Sequence, residues 1–149
     1  MGGDLISAPA GKSPQFLISA AKDPLGANLD RVQIIKGWLD SEGVTYEKIY
    51  DVALSDNRRS GERVQNTVDL KTPSYSNSVG SSHFANVWSD PDFDPTLSAF
   101  YYLRVLEIPT PRWTAYDEIK FQINMPDKIP RIVQDRAYTS AIWLSLIHI

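Results

Sequence analysis

Three aspartates at alternating positions, Asp90, Asp92 and Asp94, come closest in this sequence to the pattern of a cation-binding loop. Hard cations such as calcium take several carboxylate oxygens from alternating positions of a tight turn. The wider pattern does not follow. A calcium loop beginning at Asp90 needs glycine where Pro95 stands and a carboxylate where Tyr101 stands. Turn and helix-cap chemistry therefore accounts for the three aspartates, with Asp94 placed to cap a brief helical turn begun by Pro95.

The two histidines, His83 and His148, are too far apart to share one face of an element, and metal or general-base work needs oriented partners. His83 reads as a strand residue facing a sheet surface. The chain has no cysteine, which excludes disulfides, a thiolate nucleophile and Cys-ligated zinc but leaves the compartment open. There is no Gly-x-Ser-x-Gly elbow, and no glycine-rich loop runs into Lys-Ser or Lys-Thr to cradle a phosphate. The expectation is thus no catalytic residue, no cofactor site and no metal ligand. The aromatic set Trp38, Trp88, Trp113, Trp143, Tyr101 and Tyr102 offers stacking platforms for sugars or bases, although core packing is the stronger reading. Arg58, Arg59 and Arg63 could meet an anion, but a charged loop tip is ordinarily just solvated.

The elements that must position these residues read as strands. A chain of 149 residues, 42% hydrophobic, can bury one sizeable core, so one domain is expected. Its formal charge of −3, from 15 basic and 18 acidic residues, lacks the basic excess needed to bind nucleic acid. No apolar run is long enough to span a bilayer and Met1–Leu5 lacks the character of a signal peptide, so no membrane partner is expected.

Gln15–Ala21, stopped by Asp23-Pro24, predicts a first strand. Arg31–Asp40, the glycine-containing turn Ser41–Gly43 and Val44–Ala53 predict a hairpin, with Val44, Tyr46, Tyr50 and Val52 on one face. Residues 55–81 read as a long polar connection. His83–Trp88 predicts a strand, Asp90–Pro95 a turn, and Ala99–Ile108 a central strand apolar on both faces and ended by Pro109 and Pro111. The stretch 113–131 predicts no regular element, with a short helical turn at Arg131–Asp135, and a last strand covers Ala137–Trp143. Strands separated by turn signals point to an all-β, immunoglobulin-like antiparallel sandwich.

Several strings resemble a bacterial family, domain of unknown function 3604. They include Ala20-Ala-Lys-Asp-Pro24, Leu29-Asp-Arg-Val-Gln-Ile-Ile-Lys-Gly-Trp38, Glu47-Lys-Ile-Tyr-Asp-Val52, Val87-Trp-Ser-Asp-Pro-Asp-Phe-Asp-Pro95, Ala99–Trp113 and Arg136-Ala-Tyr-Thr-Ser140. The resemblance runs from Met1 to about Trp143. It implies a parent several times longer, related through N-terminal His-x-His motifs to the PHP superfamily of metal-dependent phosphoesterases. No such motif occurs here, so no metal ligand carries over.

The resemblance also frames the chain as the C-terminal fragment of that parent. Residues 1–143 would form one β-sandwich lacking an N-terminal strand, while Ala141 replaces an expected proline and 144–149 read as a non-native tail. The implied role is structural or accessory, beside an N-terminal catalytic-like domain, with a homodimer through an unpaired edge strand. The alternative is a carbohydrate- or small-ligand-binding module built on the aromatics.

Overall fold

The computed structural model describes residues 2–5 and 12–144. The strands are β1 (Gly3–Leu5), β2 (Gln15–Ala21), β3 (Leu29–Leu39), β4 (Thr45–Leu54), β5 (His83–Ser89), β6 (Ala99–Glu107) and β7 (Thr110–Pro111). A helix, α1 (Trp113–Phe121), precedes β8 (Ile132–Val133), β9 (Arg136–Tyr138) and β10 (Ile142–Leu144). The architecture is all-β and sandwich-like. A six-stranded sheet runs β1-β10-β6-β3-β4, with β9 also on β6, and faces the two-stranded β2–β5 ribbon. The pairings are antiparallel except that of β1 with β10, so the large sheet is mixed rather than purely antiparallel.

The two-residue period of extended chain explains the layering. On β2, Phe16 and Ile18 turn inward while Leu17 faces water. Val32 and Ile34 of β3, Val52 of β4, Ala99 and Tyr101 of β6, and Leu144 of β10 meet them in one core. β6 lies centrally, between β3 on one side and β9 and β10 on the other; Ala99 and Tyr101 are buried in the core, while Phe100 and Tyr102 on the outer face stack on each other and stay half-buried.

Two bulges shape this sheet. Asp30 is an extra residue in the β3–β6 ladder, and Val52 is one in the β3–β4 ladder. Asn86 on β5 donates from Nδ2 to the Val52 carbonyl at 2.6 Å, tying the ribbon to the bulged strand.

Four expectations need correction. The last strand is two strands. At the break, Leu103 N donates to Thr139 Oγ1 at 3.0 Å while Thr139 N donates to Leu103 O, so a hydroxyl replaces a backbone acceptor and the register advances by one residue. Leu144, assigned from sequence to the tail, ends β10 and is buried against the core, paired with Ala99; residues 145–149, His148 among them, lie outside the described residues. In place of a helical turn at Arg131–Asp135, Ile132–Val133 pairs with Thr110–Pro111.

The stretch after Trp113 is helical. Helix α1 has no side-chain N-cap and ends at Gln122 in the left-handed region, with Ile123 N donating to Glu118 O. Its polar side fixes it to the following loop. Glu118 Oε1 accepts from Met125 N and Oε2 from Arg131 Nε, both at 2.7 Å, while Thr114 Oγ1 donates to Pro130 O at 2.8 Å.

Candidate functional site

Strand alternation places Gly37 and Phe100 on the outer face of the large sheet, opposite each other across the β3–β6 ladder. A Cβ on Gly37 would lie 2.4 Å from Phe100 Cζ, so only glycine lets the ring lie flat over the strand. Trp143 of β10 packs beside Phe100 at 5.1 Å, and Trp38 stacks on Tyr46 at 5.5 Å with planes 15° apart. Trp38 and Tyr46 are on the opposite, core-side face; on the outer face, beside Phe100 and Trp143, opens a cleft of about 890 Å³ at the end of the sheet.

The carboxylates of Asp4 and Glu47 and the hydroxyls of Thr45 and Ser98 complete its walls. An apolar cleft of this size with a few polar groups has the build of a small-molecule site. What it offers is an aromatic surface, the Trp143 indole beside Phe100, flanked by carboxylates that can accept hydrogen bonds.

Beneath the cleft runs a polar network. Lys36 points into the core, where its Nζ donates to Asp90 Oδ2 at 2.5 Å and to Asp92 O at 2.7 Å, and sits 5.3 Å from the Trp38 ring centroid. Tyr101 Oη donates to the same Asp90 oxygen at 2.8 Å. Burial, reinforced by the Asp90 carboxylate beside it, pushes the Tyr101 hydroxyl well above its ordinary range. Asp92 accepts from Lys48 and from Tyr50 Oη, and the Lys48 ammonium leads in holding its carboxyl below the usual range. The Tyr50 hydroxyl is pushed up, first by burial and then by its bond to Asp92.

The structure thus separates the three aspartates. Asp90 is a buried counter-ion that also closes the turn by accepting from Asp92 N, Asp92 is a half-exposed one, and Asp94 accepts from Thr96 N and Oγ1. A single turn follows Asp94 rather than an assigned helix. Among the described residues, no group of three acidic or histidine side chains could hold a metal ion. His83 is an exposed strand residue paired with Ala21.

The aromatic set divides as well. Trp88 and Tyr101 pack with Phe16 in the core, whereas Trp113 and Trp143 are more than half exposed and Tyr102 lies on the outer sheet face. Arg58 is no solvated loop tip; it donates to Asp30, to Ser55 O and to Glu62 O. Sequence reasoning passed over Lys36, Gly37 and Phe100. A glycine inside an apolar strand was the signal that something approaches the backbone closely.

No curated protein and no solved structure matches the chain. One family profile does, over residues 1–146, and its description is "Protein of unknown function (DUF3604)". With almost its whole length covered, the chain belongs to the DUF3604 family.

Proposed function

We propose that this chain is a non-catalytic accessory domain that docks, through α1, onto the catalytic-like N-terminal region of a longer, PHP-like family protein. One observation carries the reading. The helix rests on the body of the domain through two small buried residues, Thr114 and Ala115, while its large apolar side chains face water. Trp113, Tyr116 and Ile119, at three-residue spacing, are 59%, 48% and 53% exposed, and Phe121 is 58% exposed. A helix ordinarily buries its large apolar residues and exposes its polar ones, so the reversed arrangement fits a surface that another domain covers.

The test is phosphomonoesterase and phosphodiesterase activity, with manganese or zinc, in this chain and in a longer family member under identical conditions. Activity in the longer protein alone is expected. Activity in this chain contradicts an accessory role.

A second reading is a carbohydrate-binding module, favoured by the cleft beside the Phe100–Trp143 pair. It predicts sugar-dependent tryptophan fluorescence that is lost in Trp143→Ala, and a glycan screen without hits removes it. Strand addition by a second copy along the β4 edge completes the proposal of partners, and sedimentation showing only monomer at micromolar concentration counts against it.

A further inference from the structure

At the opposite end of β3 from the aromatic cleft lies a polar cavity of about 560 Å³, walled by Arg31, Arg63, Arg104 and Arg136 with a single carboxylate, Asp30. Four positive charges against one is unexpected in a chain whose formal charge is −3. The hydrogen bonds show which of these charges are already matched. Arg31 donates to Asp30 and Asp51, and Arg58 donates to Asp30, so two carboxylates and two guanidiniums neutralise one another. Among the described residues, Arg63, Arg104 and Arg136 have no carboxylate within ion-pair distance.

Arg104 is held in place without being neutralised. Its Nε and Nη2 donate to Gln33 Oε1 at 2.9 and 2.6 Å, and Gln33 Nε2 is anchored in turn on Asp51 Oδ1 at 2.8 Å. A neutral amide thus fixes the guanidinium and leaves its charge and its Nη1 hydrogens available. Arg136 approaches from β9, opposite Leu106 and therefore diagonal to Arg104 on the same face of the sheet. Like charges at diagonal positions repel, and an anion between them converts that repulsion into attraction. The Asp30 bulge and the loop carrying Gly61 and Arg63 close the remaining walls.

We infer that this cavity binds a small multivalent oxyanion, a phosphate-bearing or polycarboxylate molecule, between the guanidiniums of Arg104, Arg136 and Arg63. Guanidinium recognises both groups through paired, charge-assisted hydrogen bonds, and a fixed Arg104 loses little freedom on binding. This site is independent of the docking surface on α1 and of the aromatic cleft.

The test is calorimetric titration of the whole chain with inorganic phosphate and with citrate, against chloride of equal ionic strength. Saturable binding of at least one anion is expected, weakened roughly tenfold or more in Arg104→Gln and in Arg136→Gln, the loss of one charge-assisted contact. Arg59→Gln, on an exposed arginine outside the cavity, should bind like the parent. Because Arg136 is exposed, its variant keeps the fold and carries the test even if Arg104→Gln does not. Tighter phosphate than citrate identifies a phosphate site, and the reverse a carboxylate site. No saturable binding of either anion, or binding indifferent to both cavity variants, overturns the proposal.

Discussion

Replacing Lys36 with methionine keeps the aliphatic stem and removes the ammonium. The Lys36 side chain is 7% exposed and that of Asp90 0%, so the variant strands a carboxylate that water does not reach. Only the Tyr101 hydroxyl and Asp92 N remain to it. Breaking a buried pair from one side costs about 3–5 kcal/mol. With an unfolding entropy of about 2.1 cal/mol/K per residue, near 0.3 kcal/mol/K for the whole chain, the midpoint should fall by about 10–15 °C.

Lys36→Met/Asp90→Leu, which removes both charges, should recover much of the loss. Thermal and urea unfolding followed by tryptophan fluorescence measure both variants. A Lys36→Met protein within 1 kcal/mol of the parent at pH 7, where roughly 3 or more is expected, refutes the reasoning.

Gly37→Val should cost about 1–3 kcal/mol in urea unfolding, because its Cβ meets the Phe100 ring and forces it off the strand. Thr139→Val removes the hydroxyl that accepts from Leu103 N in an exposed bond and should cost about 0.5–1.5 kcal/mol, with faster amide exchange at Leu103. Burial and the neighbouring Asp135 and Asp23 carboxylates raise Glu107, so its ionisation opposes folding; Glu107→Gln should stabilise at pH 7, an advantage that vanishes as pH falls below the carboxylate range. Asp92, held down chiefly by Lys48, and Glu118, held down chiefly by Arg131, contribute stability present above the ordinary carboxylate range and lost as pH falls through their lowered values, so an acid titration of the unfolding free energy should decline there.

Most of the sheet was legible because its residues obey simple rules. The short apolar run Gln15–Ala21 stopped by Asp23-Pro24, the turn at Ser41–Gly43 and the doubly apolar run Ala99–Ile108 mark β2, the β3–β4 hairpin and central β6. Helix α1 was harder to see. Trp113, Tyr116 and Ile119 do recur at helical spacing, but no side-chain N-cap marks the start and prolines crowd both sides of the segment. The split between β9 and β10 depends on one hydroxyl, that of Thr139, meeting a backbone N–H far along the chain. No local pattern signals such a meeting.

At the candidate site, the turn chemistry of Asp90 and Asp94 was visible from spacing. The partnership of Asp90 with Lys36 and Tyr101 was not, because it is created by strand register rather than sequence proximity. The same holds for Arg104 and Arg136, unremarkable in sequence and neighbours only through the β6–β9 ladder. Long-range pairing assembles both of these clusters, so residue type alone underdetermines them.

The central claim is that α1 is a docking face. Its most direct measurement is the unfolding free energy of Tyr116→Lys/Ile119→Lys, made in this chain and at the matching positions of a longer family member. In this chain both side chains already face water, so the variant should stay within about 0.5 kcal/mol per site of the parent. In the longer protein two lysines would be driven into a covered apolar interface, and a loss of several kcal/mol is the predicted result. Equal, negligible effects in both proteins would mean that nothing packs on α1, and would contradict the account.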